Sequence, residues 1–264
     1  MQPVARAMTI AGSDSGGGAG IQADLKSFAA MGVYGTSVIT AVTAQNTREV
    51  RGVVELPTAA IGSQIDAVIS DIGTDVVKTG MLSSSAIIEM VVAKLKEHEI
   101  DMIVVDPVMV AKGGDRLLEE EAVDALRTQL LPLATVVTPN IPEAEVLVGH
   151  KINDMDDMKE VAKEIVKMGA SSAVVKGGHL KGPATDILYD GHDVKAFSSQ
   201  RISTMNTHGT GCTFASATAA GLAKGKTVRD SVGAAKKYVT DAIRHAHSIG
   251  HGHGPLNHFY MLGE

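Results

Sequence analysis

Tryptophan is absent from this 264-residue chain, and four phenylalanines with four tyrosines bring aromatic residues to only 3%. A surface that stacks bases needs such rings, so nucleic-acid binding of that kind is excluded. Positive charge is also short: 24 Lys and Arg stand against 30 Asp and Glu, a net charge of −6, with no basic cluster to meet a polyanion. The lone cysteine, Cys212, rules out an intramolecular disulfide framework and fits a reducing, cytoplasmic setting. No apolar run approaches membrane-spanning length, and the stretch before Met8 is too short and polar for a signal peptide. The expectation is a soluble intracellular protein, with 44% hydrophobic residues available to fill a sizeable core.

Short β-branched runs alternate with helical patterns along the whole length. Strands are predicted at Met8–Ala11, Ser37–Val42, Gly52–Leu56, Val76–Lys78, Met102–Asp106, Thr135–Thr138 and Ala173–Lys176. Asp186–Tyr189 and Lys195–Ser198 flank Asp190-Gly191 as a hairpin. Helices are predicted over Ile21–Met31, after Pro57, over Ser85–His98, Glu119–Leu130, after Pro142, over Met155–Met168, and over 211–224 and 227–246. Such alternation with continuously apolar strands predicts an α/β fold, a three-layer α/β/α sandwich around a mostly parallel central sheet. No linker or composition shift divides the chain, so 1–264 reads as one domain. In these sheets the ligand lies beyond the carboxyl ends of the strands. Asp14, Gln45, Lys78, Asp106, Asn140 with Glu143, and Lys176 all stand just past an apolar run, where they are expected to converge.

His208-Gly-Thr-Gly-Cys212 opens a helix rich in small residues. Gly209 and Gly211, with Thr210 between them, can turn consecutive N–H groups toward a ligand, and the helix dipole behind them favours an anion. The same dipole is expected to lower the thiol pKa and suit Cys212 to accept a proton beside a phosphate; a small buried hydrophobe is the plainer alternative. The glycine-rich loop Gly12–Gly20 lacks both the Gly-Lys-Ser/Thr of a phosphate loop and the acid of a dinucleotide fingerprint. It is read as wrapping a small polar ligand, with Asp24 as a hydrogen-bonding anchor, or else as a surface loop. Asp106 and Glu143 suit Mg²⁺, which takes one or two carboxylates plus phosphate oxygens. Glu143 alone is equally a helix-start acid. Lys176-Gly-Gly178 suits a nucleotide phosphate. His251, His253 and His258 are read as part of an ordered closing loop rather than a metal site.

The motifs Ala11-Gly-Ser-Asp-Ser-Gly-Gly-Gly-Ala-Gly-Ile-Gln-Ala-Asp24, Thr40-Ala-Val-Thr-Ala-Gln-Asn-Thr47, Lys78-Thr-Gly-Met-Leu82, Val105-Asp-Pro-Val-Met109, Thr138-Pro-Asn-Ile-Pro-Glu143, Lys176-Gly-Gly-His179 and Asn206-Thr-His-Gly-Thr-Gly-Cys-Thr213 run nearly end to end. By them the chain closely resembles the ribokinase-like superfamily, and within it the hydroxymethylpyrimidine and phosphomethylpyrimidine kinases of thiamine biosynthesis. The resemblance implies an ATP- and Mg²⁺-dependent kinase that phosphorylates 4-amino-5-hydroxymethyl-2-methylpyrimidine and then its monophosphate. It implies a pyrimidine pocket of Gly12, Asp24, Gln45, Met81 and Val108, magnesium at Asp106 and Glu143, and nucleotide contacts at Lys176 and Lys237. It further implies an anion hole over Gly209, Thr210, Gly211 and Cys212 with Cys212 as base, and a homodimer. Many sugar kinases of the superfamily carry aspartate at the position of Cys212, a departure that fits the pyrimidine branch. The rivals are a vitamin B6 (pyridoxal) kinase and a non-catalytic ligand-binding protein on the same fold. Gln45 speaks against the former, since an amide pairs with an aminopyrimidine edge by one donor and one acceptor.

Overall fold

The computed structural model describes residues 4–109 and 118–262. Its centre is a nine-stranded sheet in the order β3-β2-β1-β4-β5-β6-β7-β8-β9. The strands are β1 (Arg6–Asp14), β2 (Tyr34–Gln45), β3 (Val50–Glu55), β4 (Val76–Thr79), β5 (Ile103–Val105), β6 (Val136–Val137), β7 (Ala173–Lys176), β8 (Ala184–Tyr189) and β9 (Val194–Ser199). From β2 to β7 all neighbours are parallel, and β3, β8 and β9 extend the sheet antiparallel at its two edges.

Alternate residues of each central strand serve opposite faces. Ile103 and Val105 pack with Ile87, Ile88 and Val91 of helix α3 (Ser85–Glu97), on the face that also holds α2 (Thr58–Asp71) and α6 (Met155–Lys167). Val104, Val136 and Val76 point the other way, toward Phe28 of α1 (Gly20–Ala30) and the small residues Ala215, Ala219 and Ala220 of α7 (Thr210–Ala223). Helix α8 (Val228–Arg244) packs on α7 through Val232, Ala235 and Val239. Burial on both faces explains why the strands read as unbroken apolar runs instead of alternating ones.

The predicted helix over Glu119–Leu130 is shorter than expected. Its α-helical part, α4, is Glu120–Ala125; a wider turn follows over Leu126–Leu130 and a tight one over Leu131–Leu133. Pro132 lacks the N–H that a continuing helix would use. Helix α5 (Ile141–Val148) starts one residue before Pro142, with Asn140 and Glu143 forming a reciprocal capping box.

The chain leaves β1 for β2 on one side and later returns to β4 on the other. The sheet therefore has a topological switch point at β1, where the loops at the carboxyl ends part and leave a crevice. The C-terminal tail closes over this end: the His253 N–H donates to the Thr47 carbonyl and the His208 N–H to the Gly254 carbonyl. His258 is buried against α7, its Nε2 2.9 Å from Thr213 Oγ1. The tail histidines thus fasten a loop. Among the described residues the grouped candidate metal ligands are instead Asp66, Glu97 and His98 on α2 and α3, where Lys94 already pairs with both acids.

Burial pushes the His258 imidazolium down to about pKa 4, with Lys26 adding repulsion. The folded protein therefore holds this ring neutral, while an unfolded histidine protonates near pH 6.5. Stability contributed by the neutral ring is fully present above about pH 6.5 and is lost as pH falls toward 4. We expect the unfolding free energy from denaturant titrations to fall across that window by an amount on the order of 3 kcal/mol, and His258→Gln to flatten the slope.

Candidate functional site

A cavity of about 740 Å³ opens beyond the carboxyl ends of β1, β2, β4, β5 and β7, and the residues predicted to converge there do so. It is bordered by Asp14, Gln45, Lys78, Asp106, Asn140, Glu143 and Lys176, together with the start of α7.

The first turn of α7 is shaped by Gly209, the residue before the helix, at φ +81°. A side chain there would run into the Gly18 carbonyl as well as strain the backbone. The Thr213 N–H returns to the Gly209 carbonyl, and the Thr210 N–H makes a long 3.4 Å contact with Thr207. The N–H groups of Gly211 and Cys212 lie between them at the cavity wall, with no backbone carbonyl of the described residues as acceptor. A positive helix end with open N–H groups receives an anion.

Cys212 is partly buried beside that wall. The expected lowering of its pKa is overturned: burial, with the Asp106 and Asp24 carboxylates, pushes the thiol up to about 12. Lys78 and the Gly20 N–H at the start of α1 oppose this rise without cancelling it. In the ligand-free protein the dipole is outweighed, and the group is a thiol at neutral pH.

Asp106 stands just past β5, which is one residue shorter at each end than the predicted Met102–Asp106. Its Oδ1 accepts from Lys176 Nζ at 3.1 Å, whereas its Oδ2 is buried with no partner among the described residues. An orphaned buried carboxylate oxygen is costly unless something outside the protein completes it. That atom fits a divalent cation. Glu143 fits less freely, because its carboxylate already accepts the Asn140 N–H at 2.8 Å to cap α5. Both readings of Glu143 therefore hold at once. Burial and the nearby Asp106 raise its pKa to about 7 against the pull of Lys176 and the Asn140 and Met109 N–H groups. For Lys176, burial works to lower the pKa, but Asp106 and Glu143 outweigh it and raise it, so the cation persists.

The glycine-rich loop borders the cavity through Gly12, Ser13, Ala19 and Gly20. It closes on an internal anion, the Asp14 carboxylate: Oδ1 accepts the Gly16 N–H at 2.8 Å, and Oδ2 accepts those of Gly18 at 3.0 Å and Ala19 at 2.8 Å. Oδ2 also meets His208 Nε2 at 3.0 Å, across 194 residues of chain. Burial would raise the Asp14 pKa, but the His208 ring and the Ala19 and Gly16 N–H groups hold it below the usual carboxylate range. Gln45 joins this couple, its Nε2 3.3 Å from the same ring nitrogen. One nitrogen cannot both donate to Asp14 and accept from Gln45, so the tautomer of the His208 ring and the turn of the Gln45 amide are linked.

Gly12, Gln45, Met81 and Val108 all border the cavity. At Gly12 a side chain would strike the end of Met81, so the two residues set the pocket's width together. Asp24 lies elsewhere. It is fully buried beneath the cavity, where Lys78 Nζ donates to both of its oxygens at 3.0 Å and Thr9 and Ser216 donate at 2.6 Å. Lys237 is also outside: it faces solvent and pairs with Asp241 one turn on. The neighbouring Lys236 faces inward and donates to Asp186 Oδ2 at 2.8 Å, with both groups at the cavity wall. The buried spacing Val232, Ala235, Val239 carries the signal, since position 236 borders that stripe and 237 turns away from it. Arg201, also missed, pins the loop after β7 by donating to the Gly178, Leu180 and Gly182 carbonyls.

This arrangement can hold an anion at a helix end, place two lysines and an orphaned carboxylate around it, and set a thiol beside a small pocket. Those are the parts that phosphoryl transfer requires. The comparison with known proteins agrees. The family model described as phosphomethylpyrimidine kinase matches residues 14–257. The chain is 55% identical over 257 residues to a thiamine biosynthesis bifunctional protein, ThiED, of Geobacter sulfurreducens; the match takes in 97% of this chain and about half, 52%, of that longer protein. It is 51% identical to a hydroxymethylpyrimidine/phosphomethylpyrimidine kinase of Streptomyces coelicolor, over 97% of this chain and 95% of the relative. A Bacillus subtilis pyridoxal kinase solved with ADP superposes with a TM-score of 0.92 at 42% identity, covering 99% of this chain and 100% of the other. By sequence and by fold, this chain belongs to the phosphomethylpyrimidine kinase family.

Proposed function

We propose that this chain, acting as one domain over residues 1–264, is an ATP-dependent kinase of thiamine biosynthesis. It phosphorylates 4-amino-5-hydroxymethyl-2-methylpyrimidine and then the monophosphate to the diphosphate. One observation carries the reading: the open N–H groups at the start of α7 stand at the same cavity wall as Cys212, Asp106 and Lys176. The ring occupies the pocket between Gly12, Gln45, Met81 and Val108. The γ-phosphoryl oxygens lie at Gly209 to Cys212, and Lys176 and Lys236 steady the phosphate chain.

In the first step the substrate hydroxyl oxygen bonds to the γ-phosphorus, the bond to ADP breaks, and the hydroxyl proton passes to Cys212 as thiolate. With its pKa near 12, that thiolate is a scarce but strong base, matched to an alcohol that is a still weaker acid. In the second step the acceptor is a phosphate monoester, already largely ionised because its second pKa is about 6. Mg²⁺ fits at Asp106 Oδ2 with Glu143 beside it, and when bound it neutralises phosphate charge. The exposed apolar pair Val42 and Val54, opposite each other on β2 and β3, supports a homodimer through that edge. The single unoxidised cysteine supports a cytoplasmic setting, and no helix among the described residues is long and apolar enough to cross a membrane.

A second reading, pyridoxal phosphorylation, is favoured by the close superposition on the B. subtilis pyridoxal kinase. A substrate panel with ATP separates the two. We expect higher kcat/KM on the hydroxymethylpyrimidine than on pyridoxal or pyridoxine; the reverse order would replace the first reading, and no ADP with any of them would leave a binding protein. Cys212→Ala is expected to lower kcat of the first step about 10²-fold or more and that of the second less than tenfold, measured on each substrate separately. Equal losses would point to positioning instead of proton transfer. Glu143 ionises across about pH 7, so apparent Mg²⁺ affinity should rise by up to roughly tenfold from pH 6 to pH 8. Glu143→Gln is expected to remove that dependence in a Mg²⁺ titration of the initial rate.

A further inference from the structure

The chemistry above leaves Lys78 without a task. It stands on β4, whose four residues are all buried, and its side chain is wholly inaccessible to solvent. Yet it forms part of the cavity floor together with Cys212 and Asp106. Two of its three N–H bonds go to the two Asp24 oxygens, each at 3.0 Å. At Gly80, also at the cavity, a Cβ would come within 2.9 Å of Lys78 Nζ, so a side chain there would crowd the ammonium.

Stability alone is a poor reason for this pair. Removing two charges from water costs about as much as their attraction returns, and well-packed apolar residues of the same volume commonly serve as well or better. The surroundings give another reason. Asp24 is fixed on α1 by Thr9 of β1 and by Ser216 of α7, one turn beyond Cys212. The ammonium is thereby clamped between the sheet and the helix whose first turn receives the anion. Among the charged groups acting on Cys212, Lys78 exerts the largest single influence, ahead of the opposed Asp106 and Asp24 each taken alone.

We propose that Lys78, held by Asp24, is a positioning residue for phosphoryl transfer: a fixed cation beneath the α7 N-terminus that adds positive potential at Cys212 and at the arriving phosphoryl group. The inference rests on the transfer reaction proposed at this site. Its partner Asp24 is then no pocket residue but the group that keeps this cation charged and in place.

The test is the charge-neutral double variant Lys78→Met with Asp24→Asn, which leaves no unpaired charge in the interior. Iodoacetamide alkylation of the ligand-free protein from pH 7 to pH 10 reports on Cys212 alone, because there is no other cysteine. We expect alkylation at pH 9 to slow at least fivefold, and kcat on the pyrimidine alcohol to fall at least tenfold with KM within threefold. Unchanged or faster alkylation, the sign of mere loosening, overturns the proposal; so does an unchanged kcat. Should the double variant not fold, Asp24→Asn alone removes the group that keeps this cation charged and in place, and alkylation at pH 9 must then slow as well, an unchanged or faster rate being fatal. Wild-type protein that makes no ADP with any substrate of the panel would remove the kinase reading while the alkylation result stands by itself.

Discussion

The site depends on the meeting of one carboxylate with two distant stretches of chain. Asp14 gathers the N–H groups of Gly16, Gly18 and Ala19 and accepts from His208 as well. That single anion decides where the glycine-rich loop lies and, through His208, where the chain turns at Gly209 into α7. The close approach of Gly209 to the Gly18 carbonyl follows from the same contact. Without it the open N–H groups of the first turn would not face the cavity, and the helix dipole would be aimed at nothing.

Charge in this cavity is layered. At the floor Asp24 and Lys78 neutralise each other; above them Lys176 meets Asp106, and Lys236 meets Asp186. Lys78 and Lys176 are thus kept protonated by carboxylates in a region where burial works to lower their pKa values. The exception is Asp106 Oδ2, left without a partner among the described residues. A polyanionic substrate with its counter-cation would bring that oxygen a partner. Cys212 shows the opposite balance, since burial overcomes both the helix end and the nearby ammonium. The group therefore stands as a thiol at neutral pH.

Much of the architecture was legible in the residue order. Continuous apolar runs such as Val104 and Val105 report burial on both faces, and alternation with helices requires parallel connections. The rule that ligands sit beyond the carboxyl ends of strands then selected Asp14, Gln45, Asp106 and Lys176 correctly as one group. It also selected Lys78, though nothing in the order of residues tells a side chain that lines a cavity from one that lies beneath it. Asp24 illustrates the limit: an acid on the helix after a glycine loop reads as a ligand anchor, but its partners Thr9, Lys78 and Ser216 come from three other elements. Lys236 and Lys237 differ by 100° around a helix, and only the packing of α8 decides which faces inward.

By itself the sequence determined the fold class, the position of the cavity along the strands, the helix start at Gly209 and the residue types available for phosphoryl transfer. These follow from local periods, glycine geometry and strand-end chemistry, which act over a few residues. Tertiary structure alone decided the Asp14–His208 contact, the burial of Asp24 with Lys78, the inward lysine of α8 and the protonation of Cys212. Each of those depends on which distant groups come within a few ångströms of one another and on how much water is left between them, and neither quantity is written in any one segment of the chain.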